Sequence, residues 1–235
     1  MGTEVEFFSG GALAMVQANV TVRNCVFTDN ASELGGAVYG FSTSADFTNC
    51  RFERNTASYD GGAVQMGTAI GSDFTNCQFI DNTADGGGAM HLWAVDTKLT
   101  TCDFTRNSVL QRGGAISWSS INSPRLELEG CILESNSANS GGALAVLEGP
   151  GSIRLRNTRL CLNSPDNILG SITNLGGNVL SQDCNQNGVC DADEITNGSQ
   201  SDCDGNGVPD SCQLSRAVAW GENANGQSTI PATLG

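Results

Sequence analysis

The sequence predicts an all-β chain built as a parallel β-helix, a solenoid of about six coils over residues 1–181, followed by a short acidic tail. Three observations carry this. Gly-Gly pairs start at 10, 35, 61, 87, 113 and 141, in steps of 25, 26, 26, 26 and 28 residues, and such a period belongs to solenoids. A second element recurs between them: "NCVFTDN" at 24–30, "NCRFERN" at 49–55, "NCQFIDN" at 76–82, "TCDFTRN" at 101–107, "GCILESN" at 130–136 and a degenerate "NTRLCLN" at 157–163. Apolar and polar residues alternate in short β-rich runs, the period of strands rather than helices.

Each unit reads as three short strands. The first follows the Gly pair and points Val38, Val64, Met90, Ile116 and Leu144 inward, with Gly40, Met66, Leu92, Trp118 and Val146 two residues on. The second carries Phe47, Phe74, Leu99, Leu128 and Leu155. The third carries a Cys and then Phe27, Phe52, Phe79, Phe104 or Leu133. One coil cannot bury its apolar face alone, whereas stacked coils bury it against each other. Gly pairs suit corners that need positive φ or close backbone approach. Asn30, Asn55, Asn82, Asn107 and Asn136 suit bends, where Asn tolerates the left-handed region, and their side chains are placed to bond from coil to coil.

The spelling GGA-[VILM] alternating with F-x-x-N, over about residues 10–163, resembles the polymorphic outer-membrane protein repeats of bacterial surface proteins. That resemblance implies a right-handed parallel β-helix in a secreted or surface-exposed region, commonly adhesive, with no catalytic residues.

Composition agrees with a folded, non-membrane segment. Charged residues are 15% of the 235, glycines number 30, and net charge is −14. No apolar run approaches the roughly 18 residues of a membrane helix. From residue 163 onward Asp166, Asp183, Asp191, Asp193, Glu194, Asp202, Asp204, Asp210 and Glu222 face one base, Arg216. Such a cluster repels nucleic acid and attracts divalent cations. The opening "MGTEVEFFSGG" lacks a basic n-region and a long apolar core, so it is not a signal peptide. It begins inside a repeat unit, and "IPATLG" ends abruptly, as expected of a piece of a longer protein.

Aligned positions become ladders on the outside of the stack. Asp29, Arg54, Asp81 and Arg106 alternate in sign, which suits register pairing. Another ladder reads Thr21, Asp46, Asp73, Lys98, Glu127, Arg154. Asp46 and Asp73 are adjacent carboxylates, about 5 Å apart, the separation retaining glycosidases use. Lys98 is expected to neutralise Asp73, and no other acids or bases converge there, so no catalytic residue is assigned. Tyr39, Phe41, His91 and Trp93 are expected to form an exposed aromatic patch, a possible face for a surface glycan or protein ligand.

Of the ten cysteines, Cys25, Cys50, Cys77, Cys102 and Cys131 share one repeat position and are expected to stack inward as free thiols. Cys184, Cys190, Cys203 and Cys212 crowd the acidic tail and read as disulfides in an oxidising compartment, with Cys161 as a further partner. Connectivity is open, and zinc is the alternative.

The tail, residues 182–214, carries two calcium-loop patterns. In "DCNQNGVCDADE", Asp183, Asn185 and Asn187 take positions 1, 3 and 5, the Val189 carbonyl position 7, Asp191 position 9 and Glu194 position 12. In "DCDGNGVPDSCQ" the same places fall to Asp202, Asp204, Asn206, Val208, Asp210 and Gln213. Gln213 has no carboxylate, so the second site is expected to be the weaker. Pro209 and the lack of flanking amphipathic helices argue against true EF-hands. The cysteine-laced spelling resembles thrombospondin type 3 repeats and related calcium linkers, in which Ca2+ replaces a hydrophobic core. Residues 164–181 read as a last irregular coil capping the solenoid. "VAWGENANGQSTIPATLG", within 215–235, resembles the start of a regulator-of-chromosome-condensation propeller repeat.

Together these readings predict a non-catalytic, calcium-stabilised adhesive or structural stalk at the cell surface, with a polysaccharide-binding or polysaccharide-cleaving β-helix as the alternative. A monomer is expected. Its first coil is covered by residues 3–9, through Phe7 and Phe8, or meets a second molecule end to end.

Overall fold

The computed structural model describes residues 10–68, 71–119, 125–147 and 152–213. Two compact units divide between Gln182 and Asp183. The segments 1–9 and 214–235, which hold the expected N-terminal cover and the propeller-like stretch, lie outside the described residues.

In the first unit each strand pairs in parallel with its equivalents one repeat before and one after. Three sheets hold seven strands each. They run from Leu13–Val16 to Ile168–Leu169, from Asn19–Arg23 to Ile172–Asn174 and from Val26–Thr28 to Val179–Leu180. The inward registers are those of the sequence alignment: Val38 pairs with Val64, Met90 with Ile116, Phe74 with Leu99, and Phe79 with both Phe52 and Phe104. Residues 164–181 are more regular than expected, because three short strands within them pair with the coil before.

The coil has a fourth side that three strands per unit did not anticipate. Ala31–Leu34, Thr56–Asp60, Thr83–Ala84 and Ser108–Val109 form a four-stranded sheet. These strands are short, and only Ala57 and Val109 are buried apolar residues in them, so they leave no alternation to read.

Aromatic columns fill the interior. Phe27, Phe52, Phe79 and Phe104 stack with centroids 4.8, 4.8 and 4.5 Å apart and nearly parallel planes. Phe47 and Phe74 stack at 4.9 Å and meet the first column edge-on. Close repetition of one shape is what gives a solenoid core its density.

The glycine pair divides its labour. Gly61 has φ +66, a left-handed conformation, and a Cβ on Gly62 would run into the Gly88 carbonyl oxygen one coil away. The asparagines that follow the third strand are not the left-handed residues. That conformation belongs to the residue before each one: Asp29, Arg54, Asp81 and Arg106 have φ 56, 52, 55 and 54. The turn made there swings the asparagine side chain inside. Asn55, Asn82, Asn107 and Asn136 are fully or almost fully buried, and their amides bond from coil to coil at 2.9 Å.

Cys50, Cys77, Cys102 and Cys131 are buried free thiols, as expected, and Cys25 is partly covered. Each of the four buried S–H groups faces two carbonyls: Cys102 Sγ lies 3.3 Å from the Phe74 oxygen and 3.5 Å from that of Thr100. One coil on, Thr158 replaces the cysteine, and its hydroxyl lies within donating distance of the corresponding carbonyls, 3.2 Å from Leu128 and 3.0 Å from Arg156. The ladder therefore calls for a small donor rather than for sulfur chemistry.

Candidate metal centre and surface ladders

The second unit winds two loops on the same plan. In the first, the Asp183 carboxylate accepts the backbone N–H groups of Asn187 and Gly188 at 3.1 and 2.8 Å. Asn185 Oδ1 accepts from the Asn187 N–H, and Asn187 Oδ1 from the Val189 N–H. Asp191 accepts the Cys184 N–H at 3.0 Å. In the second, Asp202 accepts from Gly205, Asn206 and Gly207, Asp204 from Asn206, Asn206 from Val208, and Asp210 from Cys203 at 3.0 Å. Acceptors at positions 1, 3, 5 and 9 are pinned in both by the loop's own amides.

The side chain at position 12 reaches across each loop. Glu194 meets the Asn187 amide at 2.7 Å and that of Asn185 at 3.1 Å. Gln213 Nε2 lies 3.5 Å from Asp204 Oδ1, 3.3 Å from Asn206 Oδ1 and 3.1 Å from the Val208 carbonyl. Glu194 and Asp191 are 4% and 2% exposed, and burial pushes the Asp191 carboxyl up. Asp202 is held low, first by the Gly207 N–H. Each loop thus offers three carboxylates: Asp183, Asp191 and Glu194 in one, Asp202, Asp204 and Asp210 in the other. With amide oxygens and one valine carbonyl, this donor set fits a hard divalent cation, which takes six to eight oxygens.

The first loop is followed by a seven-residue helix, Asp191–Asn197, ended by Gly198 in the left-handed region. It is a helix the sequence reading did not expect. Its length is too short to show a 3.6-residue apolar period, and its first turn is made of the loop's own acids. Cys184 is bonded to Cys212, and Cys161 and Cys190 are also oxidised. Cys203, expected in a disulfide, is a free, exposed thiol instead. Cys184, Cys212 and Asp191 offer atoms within 4.8 Å of one another. The two sulfurs are bonded together, so this is no thiolate metal site, and zinc has no cysteine cluster among the described residues.

On the solenoid surface Arg54 forks onto Asp29 at 2.8 and 2.9 Å, and Arg106 onto Asp81 at the same distances. The alternating ladder therefore resolves into two pairs, and no ion pair among the described residues joins Arg54 to Asp81. Lys98 does not neutralise Asp73. Its ammonium lies 2.7 Å from Glu129 and 3.8 Å from Glu127, while Asp73 accepts the Lys98 backbone N–H at 3.1 Å. The Asp73 carboxylate is taken up by the next coil's backbone, and the Lys98 ammonium reaches Glu129 instead. A shallow groove of about 390 Å³ lies here, lined by Asp73, Asp96, Lys98, Arg125 and Glu127 among others.

The aromatic patch is not the open surface that was expected. Tyr39 is 7% exposed, Phe41 is half-buried, and the His91 side chain is 12% exposed. Trp93 alone of the four is exposed, at 37%. Outward-pointing register does not guarantee solvent, and the outer side of this sheet is withdrawn at Ser117 and Ala145 as well. His91 Nδ1 lies 3.2 Å from Ser117 Oγ and 3.8 Å from an Asp60 carboxylate oxygen. Both contacts fall on one ring nitrogen, so the three do not form a nucleophile relay, which needs the two nitrogens to face opposite partners.

A family model described as right handed beta helix region matches residues 2–160, and the chain belongs to that family. No significant match was found among curated proteins or solved structures.

Proposed function

We propose that this right-handed β-helix is a non-catalytic segment of a secreted or cell-surface bacterial protein, a structural or adhesive display stalk whose C-terminal loops are stabilised by Ca2+. The observation that carries the reading is the shared winding of the two loops, with the twelfth side chain meeting the third and fifth in each. Asp183, Asn185, Asn187, the Val189 carbonyl, Asp191 and Glu194 would hold one cation. Asp202, Asp204, Asn206, the Val208 carbonyl, Asp210 and Gln213 would hold the other. A bound Ca2+ supplies a hard positive centre in place of the apolar core that a unit this rich in exposed polar residues lacks. The amides of Asn185 and Asn187 present nitrogen to Glu194, while each Oδ1, accepting one backbone N–H, has a second lone pair to offer a cation.

Two further features support the stalk. The Asn, Cys and Phe ladders satisfy one coil with the next, which favours length over a cleft. Oxidised cysteines fit an oxidising, extracytoplasmic compartment. Titration calorimetry with CaCl2, together with protease digestion with and without chelator, tests the loops. No heat and unchanged digestion would overturn the calcium assignment. A glycan array separates an adhesive face from a spacer.

The groove beside Asp73 supports a second reading, a polysaccharide-binding or polysaccharide-cleaving β-helix, because acids and bases line it together. New reducing ends or unsaturated products released from acidic polysaccharides would favour it over the stalk.

A further inference from the structure

The two loops hold their twelfth residue by different means. In the first, Glu194 sits inside the helix Asp191–Asn197, whose backbone bonds fix where its side chain starts. The Glu194 N–H donates to the Cys190 carbonyl at 3.1 Å, and the residue is almost fully buried. In the second, the equivalent helical stretch is a three-residue 3-10 turn, Asp210–Cys212, and Gln213 lies beyond it in extended conformation, with φ −74 and ψ 123. No turn of helix carries Gln213, yet its amide points at positions 3, 5 and 7.

What anchors it is the neighbouring residue. Cys212 occupies position 11 of the second loop and is bonded to Cys184, position 2 of the first. The first loop has Asp193, which carries no sulfur, at position 11, and the second has the free thiol Cys203 at position 2, so no second disulfide mirrors the first. Asp191 fixes the Cys184 end, since its carboxylate accepts the Cys184 N–H and lies within 4.8 Å of both sulfurs.

We infer that the Cys184–Cys212 disulfide is the positioning device for Gln213, so that losing this one bond weakens cation binding at the second loop and spares the first. This rests on the calcium reading of the loops. With the Cys184–Cys212 bond removed, nothing covalent ties the residue before Gln213 to the first loop. Gln213 then loses its fixed starting point. A neutral ligand that must be ordered at each binding event contributes less than one already in place. The first loop keeps its helix and its charged Glu194. The cost of losing this bond falls on one site.

Calorimetric titration of the full chain with CaCl2 tests this in a Cys203→Ser background, which removes the free thiol that would exchange with the disulfide. The oxidised protein should show two sites. Cys184→Ser with Cys212→Ser should weaken one site at least tenfold and leave the other within twofold. The site that survives must be abolished by Glu194→Ala and untouched by Asp202→Ala. Two unaffected sites, or joint loss of both, would overturn the inference while leaving calcium binding itself standing. No heat in the oxidised protein would remove the calcium reading and this inference together. Hydrogen exchange without calcium supplies a second readout. The double serine variant should speed exchange at the Val208 amide more than at the Val189 amide; equal acceleration counts against selective positioning.

Discussion

Asn82 Oδ1 accepts two hydrogen bonds from Asn55, one from its backbone N–H at 3.0 Å and one from its side-chain Nδ2 at 2.9 Å. Asn82 in turn donates to the Phe52 carbonyl and to Asn107. Each member of the column therefore closes one coil and opens the next, with every polar atom used. Asn82→Ala would leave the backbone N–H and one side-chain N–H of Asn55 buried without partners. Each orphan costs about 1–3 kcal/mol, so the variant should lose on the order of 3 kcal/mol or more, read as a fall in urea midpoint at constant m-value. A midpoint within error of the parent would mean that water replaces the amide and that the ladder does not hold the coils together.

Phe79 is fully buried between Phe52 and Phe104 and touches Phe74 edge-on. Phe79→Ala should cost roughly 3–5 kcal/mol, the usual range for truncating a buried aromatic. Arg54→Ala removes a pair in which both partners are well exposed, and it should move the midpoint far less. Equal shifts for the two variants would contradict the inward orientation of the third strand.

These two residues also show why the solenoid was legible and its surface was not. Phe79 and Asn82 recur at a fixed offset, and burial repeats with the coil, so an inward position is visible in sequence as a column. Lys98 and His91 sit on the outside, where a side chain chooses among neighbours up, down and across. Sequence spacing offered Lys98 to Asp73, and side-chain reach gave it to Glu129 instead. The like winding of the two tail loops was readable because their hydrogen-bond acceptors fall at fixed steps along one short segment. The short helix after the first loop and the fate of Cys203 depend on contacts between segments, which spacing does not encode.

Thiol chemistry separates the two cysteine populations. The six free thiols are Cys25, Cys50, Cys77, Cys102, Cys131 and Cys203. An aromatic disulfide reagent should label Cys203 in the native protein, and Cys25 more slowly, with the remaining four appearing only in denaturant. Asp210, and after it Asp202 and Asp204, holds the Cys203 thiol above its ordinary pKa of 9.0. Its labelling should therefore climb more steeply at alkaline pH than that of a free cysteine. Native labelling of Cys77 or Cys102, mapped by peptide mass, would contradict the packed interior.

The last prediction concerns acid. His91 is the only histidine in the chain, and burial pulls its pKa below the ordinary 6.5, with the Asp60 carboxylate opposing that shift less strongly. Ser117 shares its Nδ1, and Gln65 and Ser117 flank it in register. In the unfolded chain His91 takes up a proton as pH falls through 6.5, while the folded protein resists doing so. The unfolded state then binds more protons, and stability must decline as pH drops below 6.5 toward the lower folded value. The carboxylates held low by partners, such as Asp29 beside Arg54 and Glu129 beside Lys98, lose their contribution only in the more acidic carboxylate range, so the two windows are distinct. Urea midpoints measured between pH 7.5 and 5 should fall in the parent and stay level in His91→Gln, which keeps a polar side chain beside Ser117. A parent whose midpoint rises over that interval would mean that Asp60 outweighs burial, and the His91–Asp60 contact would then be a salt bridge strengthened by acid.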